Sequence, residues 1–240
     1  MVNLTNLTPS PSPKERGKVK ERKHRSYSVK DIYDWKFEDA QLSEKWAAHL
    51  GALPVKFSIY VDGEAGEGKT EYSIQMAKEF AQRVAKVRIV NVELGKHKQV
   101  SLSFKRNRIK EEVKPARLQY DVITNYEALK EKISKPNSGG VIIIDSISFF
   151  PLDEKQVQEL LEKYKGRKSF VFIAYRAHFS RNKAIRHLCD IKINVNRFVA
   201  TIEGSRFGGT DYFIWPEKYP PAKVKPLVPT LFDQKEVSNG

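Results

Sequence analysis

The chain has 240 residues, 40% of them hydrophobic and 30% charged, with a net charge of +14 at pH 7. That length supports one sizeable core rather than two. A lone cysteine (Cys189) excludes an internal disulfide, no stretch nears the roughly 18 apolar residues of a membrane span, and the start lacks a basic segment followed by an apolar run; a cytoplasmic protein with no membrane contact is expected.

Residues 1–30 carry eight Lys/Arg against Glu15 and Glu21, which leaves +8 on the remainder, so both tail and body favour polyanionic partners. Residues 1–27 are polar, rich in Pro and Ser and then basic, the composition of a disordered tail. Folded structure is expected over 28–215. "SEKWAAHLG" predicts a short helix with Ser43 as N-cap and Gly51 as its stop. "FSIYV" (57–61) and "VRIVNV" (87–92) are short apolar runs bounded by turn residues, hence strands. Between them "TEYSIQMAKEFAQRV" puts Ile74, Ala77, Ala81 and Val84 on one helical face. "TNYEALKEKI" has Thr124 and Glu127 in capping-box spacing. "VIIID" (141–145) and "SFVFIA" (169–174) predict buried central strands, with the helix "DEKQVQELLEKY" between them. "DIKINV", "RFVATIE" and "TDYFIW" follow with no helix between them and predict an antiparallel extension of the sheet. Residues 216–240 form a Pro-rich tail. Strands alternating with helices call for an α/β three-layer fold with a mostly parallel central sheet.

"GEAGEGKT" (63–70) fits G-x-x-x-x-G-K-[ST], and it lies between a predicted strand and a predicted helix. Gly63 and Gly68 permit the backbone path, while the positions between them, Glu64, Ala65, Gly66 and Glu67, contribute N–H groups with side chains free to point outward. Lys69 is placed to reach the β/γ-phosphates and Thr70 to ligate Mg²⁺. The loop holds two carboxylates and Glu71 follows it, an odd composition for a polyanion site. Glu71 lies in the first helical turn, where negative charge suits the dipole. Asp145, closing "VIIID", is the expected carboxylate for the metal's water shell. Glu93, directly after "VRIVNV", is the candidate base for hydrolysis. ATP and Mg²⁺ are the implied ligands.

The order "GEAGEGKT", "VNVE", "VIIIDS", "IRHLCDIKINV", "IEGSRFGG" resembles the RecA-like ATPases over about residues 45–215, in the style of the RadA/Sms, KaiC and DnaB branches. Small single-domain RecA-like proteins of phages and mobile elements look nearest. The resemblance implies a three-layer RecA-like fold, Glu93 as catalytic base, Asp145 at the metal, and a homo-oligomeric ring or filament. Ser205-Arg206-Phe207-Gly208 stands where the K-N-R-F-G signature of RadA ends, with Gly204 in place of its Lys, so Arg206 is the cation expected to reach a neighbouring subunit's nucleotide. Arg176 and His178 lie where the family carries a polar sensor. Trp215, after a strand and before Pro216, is placed to cover an adenine.

The resemblance also puts DNA, single-stranded by preference, against the loops after the central strands. There Arg176, Arg181, Lys183 and Arg186 are interleaved with Tyr175 and Phe179, cations to track phosphates and rings to stack on bases. "KHKQVSLSFKRNRIK" (96–110) is a second basic stretch. The expected function is a Mg²⁺-dependent, DNA-binding ATPase in replication or recombination, with a protein from either process as a possible partner. A KaiC-like regulatory ATPase acting on a protein is the alternative. A small-molecule phosphotransferase fits less well, since neither an Arg-rich lid nor an acceptor site is visible.

Overall fold

The computed structural model describes residues 26–91, 97–150 and 152–220. The chain divides into two compact units, residues 1–37 and 38–240. In the first, α1 (Val29–Tyr33) starts with a capping box: Ser28 Oγ accepts from the Asp31 N–H, and the Asp31 carboxylate accepts from the Ser28 N–H. Tyr27, Trp35 and Phe37 meet edge to face there.

The second unit runs α2 (Glu44–Leu50), β1 (Ser58–Gly63), α3 (Lys69–Arg83), β2 (Val87–Asn91), α4 (Lys98–Arg106), α5 (Ile109–Glu112), β3 (Leu118–Val122), α6 (Tyr126–Ser134), β4 (Val141–Asp145), α7 (Glu154–Lys163), β5 (Ser169–Tyr175), α8 (Phe179–Leu188), β6 (Ile191–Asn196), β7 (Val199–Ser205) and β8 (Tyr212–Phe213). Its sheet has the order β3-β2-β4-β5-β1-β6-β7-β8. The strands from β3 to β6 are parallel; β7 and β8 are antiparallel. The expected antiparallel extension therefore starts one strand later than "DIKINV", since β6 pairs parallel with β1.

Both faces of the central strands are covered, and period-2 alternation divides their side chains between two cores. Ile59, Val61, Val141 and Ile143 pack with α3 on one face; Tyr60, Ile142 and Ile144 pack with α6 and α7 on the other. Each such fully buried aliphatic side chain contributes about 1.5–3 kcal/mol.

Two local outcomes differ from expectation. The N-cap of α6 is Asn125, whose Oδ1 accepts from the Ala128 N–H at 2.9 Å, so Thr124 is displaced by a residue of equal or better capping strength. Strand β3 was not expected, because alternate positions are polar: Gln119 accepts from the Arg88 guanidinium at 2.5 Å and Asp121 pairs with it as well. The basic stretch 96–110 holds α4 and the first residues of α5.

Candidate nucleotide site

Strands β1, β2, β4 and β5 all end on one edge of the sheet, and a ligand of a parallel α/β sheet sits at that edge. The loop between β1 and α3 opens it. Gly63 lies so close to β6 that a Cβ there would stand 2.3 Å from the Val195 carbonyl oxygen. Gly66 and Gly68 have φ of +83° and +104°, a backbone that a side chain would strain. The 15-residue helix α3 follows, with its N-terminal N–H groups facing the loop.

A cavity of about 310 Å³ brings Gly66, Gly68, Lys69, Thr70 and Asp145 together. Lys69 is buried; its Nζ donates to the carbonyls of Gly63 (2.9 Å) and Glu64 (2.7 Å) and lies 4.3 Å from the centre of the Tyr175 ring. Asp145 is in register with Asn91 at the end of β2. Glu93 lies outside the described residues. The glycine backbone, the helix terminus, the lysine and the Thr70–Asp145 oxygens in one cavity match what a nucleotide phosphate chain and its Mg²⁺ require.

The carboxylates each have a place of their own. Glu64 is exposed at the loop tip with Ala65 and Gly66. Glu71 is buried and accepts from the Ser103 hydroxyl (2.5 Å), the Asn107 amide (2.6 Å) and the Arg106 guanidinium, which fastens α4 to α3. Glu67 meets the two-residue turn between β6 and β7: its carboxylate accepts from the Arg197 N–H and its carbonyl from the Phe198 N–H at 3.0 Å.

Among the residues of this cavity that sequence reasoning missed are Tyr175, Phe198 and Arg106. Arg106 lies 4.1 Å over the ring of Trp215, which also lines the cavity. Phe198 stacks on Tyr219 at 4.0 Å. Tyr175 was legible as the first residue after "SFVFIA"; the other two come from segments whose approach to the loop is purely tertiary.

Arg176 turns away from the cavity. It pairs with buried Asp62 at 2.9 Å and with Glu203 at 3.1 Å, which hold it firmly charged, and Glu203 also binds Arg186 at 3.0 Å. Lys183 is exposed on α8; Arg181 lies on the same helix. Arg206 is 75% exposed and sits at the far end of β7, where Ser205 pairs with Ile191, opposite to the edge that carries the phosphate loop.

No protein-family model and no curated protein matches the chain. Among solved structures it is similar to the flagellar accessory protein FlaH from Methanocaldococcus jannaschii, with a TM-score of 0.54 and 16% identity over 71% of this chain and 88% of that one. The fold is RecA-like. Among the described residues, no helix is long and apolar enough to cross a membrane.

Proposed function

We propose that this RecA-like chain binds ATP with Mg²⁺ and hydrolyses it as an oligomer on DNA, single-stranded by preference, in replication or recombination. The observation that carries the nucleotide reading is the single cavity shared by the glycine loop, Lys69, Thr70 and Asp145. Loop N–H groups and the α3 terminus bind the phosphate oxygens. Lys69 exchanges its contacts with the Gly63 and Glu64 carbonyls for the phosphate chain. Thr70 and Asp145 would hold Mg²⁺, which would supply charge stabilisation to the phosphate chain. Glu93 orients and deprotonates water, and Trp215, beside Arg106, covers the base. Arg206, remote from its own loop, serves the neighbouring subunit.

DNA binding is supported by the charge of the body and by a ring path from the loop to the surface: Lys69 lies over Tyr175, and Tyr175 meets the 51%-exposed Phe149 edge to face at 5.3 Å. The engagement of Arg176 and Arg186 by Asp62 and Glu203 favours a second reading, a regulatory ATPase acting on a protein, because those two cations are already used internally. FlaH is by its name an accessory protein. Stimulation of ATP hydrolysis by single-stranded oligonucleotide separates the two. The first reading expects several-fold stimulation that persists when residues 1–27 are removed, with a flatter salt dependence of affinity. Hydrolysis indifferent to DNA at low salt refutes it.

A further inference from the structure

We propose that Glu67 is a positioning residue, whose side-chain oxygen clasps the β6–β7 turn onto the phosphate loop, so that the hydrogen bond it accepts strengthens nucleotide binding by more than its negative charge weakens it. The inference rests on the nucleotide reading of this site.

The turn is unusual in its residues. Asn196 pairs with Val199, so only Arg197 and Phe198 lie between the strands, with φ of +46° and +62°. Two left-handed central residues make the turn that suits a twisted hairpin, and Asn-Gly normally fills it. Arg and Phe in its place cost about 1–2 kcal/mol each, and such a backbone persists only where its surroundings over-determine it.

The surroundings here are the phosphate loop. Both turn N–H groups are spent on Glu67, one on its carboxylate and one on its carbonyl. The Phe198 ring then rests on Gly68, where a Cβ would stand only 2.8 Å from it. The Phe198 carbonyl accepts from the Ile214 N–H at 2.9 Å, and the Ile214 carbonyl accepts from Gln75 of α3 at 2.9 Å. A closed circuit results: loop, turn, the segment leading to Trp215, and back to the helix that the loop begins. Without the carboxylate, the Arg197 N–H loses its partner and the turn its reason to stay left-handed. The aromatic wall of the cavity then loosens, and ordering it again opposes nucleotide binding.

For Ala the expected sign is opposite to simple electrostatics; for Gln it is the same. Charge removal alone should favour a polyanion for any neutral substitution, by about twofold for unit charges about 10 Å apart in water. The clasp distinguishes the substitutions, because Gln retains an acceptor oxygen and Ala does not. The full chain would be compared with Glu67→Gln and Glu67→Ala in two measurements. Without nucleotide, amide exchange at Arg197 and Phe198 should quicken about tenfold or more in the Ala variant and stay within about threefold in the Gln variant. With Mg²⁺ present, the Kd for ATP should rise about fivefold for Ala and fall about twofold for Gln. An Ala variant that binds ATP as tightly as the parent, or a Gln variant as weak as Ala, overturns the proposal. If the parent itself binds no ATP, the nucleotide reading fails and the exchange rates alone decide the clasp.

Discussion

Glu71→Ala tests how the phosphate-loop helix holds its neighbour. The carboxylate is 7% exposed and takes three donors from one segment: Ser103 Oγ, the Asn107 amide and the Arg106 guanidinium. Hydrogen bonds to a charged group contribute about 1.5–3 kcal/mol each when buried. The Arg106 side chain is 38% exposed, so water replaces its lost partner and its share falls below about 1 kcal/mol. Loss of a negative charge in the first turn of α3 adds about 0.5 kcal/mol. Allowing for donors that recover water as α4 loosens, the cost is about 3–4 kcal/mol. For a unit of this size that lowers Tm by about 6–15 °C. Glu71→Gln keeps one acceptor and should lose about half as much. Thermal unfolding followed by circular dichroism, without nucleotide so that binding does not contribute, measures both. An Ala variant within about 1 °C of the parent would refute the claim that Glu71 anchors α4.

Lys69→Ala should abolish ATP turnover by loss of γ-phosphate charge stabilisation, and Thr70→Ala by loss of the Mg²⁺ ligand; parent-like hydrolysis by Lys69→Ala sinks the nucleotide reading. Glu93→Gln should bind ATP and fail to hydrolyse it, and a folded variant that cannot bind ATP assigns Glu93 a structural role instead. Mixing Arg206→Ala with Lys69→Ala protein should restore activity above either alone, since some interfaces then pair an intact arginine with an intact loop; normal hydrolysis by Arg206→Ala alone rejects the trans assignment. His49 is 1% exposed, and because the Thr210 carbonyl can only accept, Nδ1 carries the proton and Nε2 accepts from the Tyr72 hydroxyl at 2.6 Å. Burial lowers the pKa of His49, so below about pH 6.5 the unfolded chain takes up a proton that the folded one refuses, and stability falls with pH through that window. The drop in Tm between pH 7.5 and 5.5 should therefore shrink in His49→Gln, and an unchanged drop rejects the assignment.

The central strands were legible because "VIIID" and "SFVFIA" lie between covering layers and must be apolar throughout. The loop "GEAGEGKT" was legible because its glycines answer a backbone demand that is local. Edge strand β3 was not, since its polar positions are satisfied by Arg88, more than 30 residues earlier. The turn at Arg197 and Phe198 was hidden for a different reason. Hairpin rules look for Asn or Gly, and here tertiary contacts with Glu67 and Gly68 hold residues that local propensity rejects. The same cause concealed the answer to the loop's charge: whether a carboxylate faces phosphate or a neighbouring helix depends on Ser103, Asn107 and the β6–β7 turn, all distant in sequence.

Strand β7 joins two features that the sequence treats separately. Its first end is the turn on Glu67; its last is the turn that carries Arg206, seven residues on, or about 20 Å at strand rise. The second end is fixed as firmly as the first. Ala52 donates to the Phe207 carbonyl at 3.1 Å, Thr210 donates to the Ala48 carbonyl at 3.0 Å, and a Cβ on Gly51 would collide with the Phe207 carbonyl oxygen at 1.9 Å. His49 then ties the Thr210 carbonyl to Tyr72 of α3, the helix that begins at the phosphate loop. Arg206 is thus carried on a body anchored at one end to the glycine loop and at the other, through His49 and Tyr72, to the helix that follows it. An arginine held in this way cannot reach a neighbour by swinging on a flexible arm. If it serves a neighbouring subunit, the contact is made and broken by rotation of whole subunits, and the mixed-variant assay should respond to changes at the subunit interface more than to flexibility introduced beside Arg206.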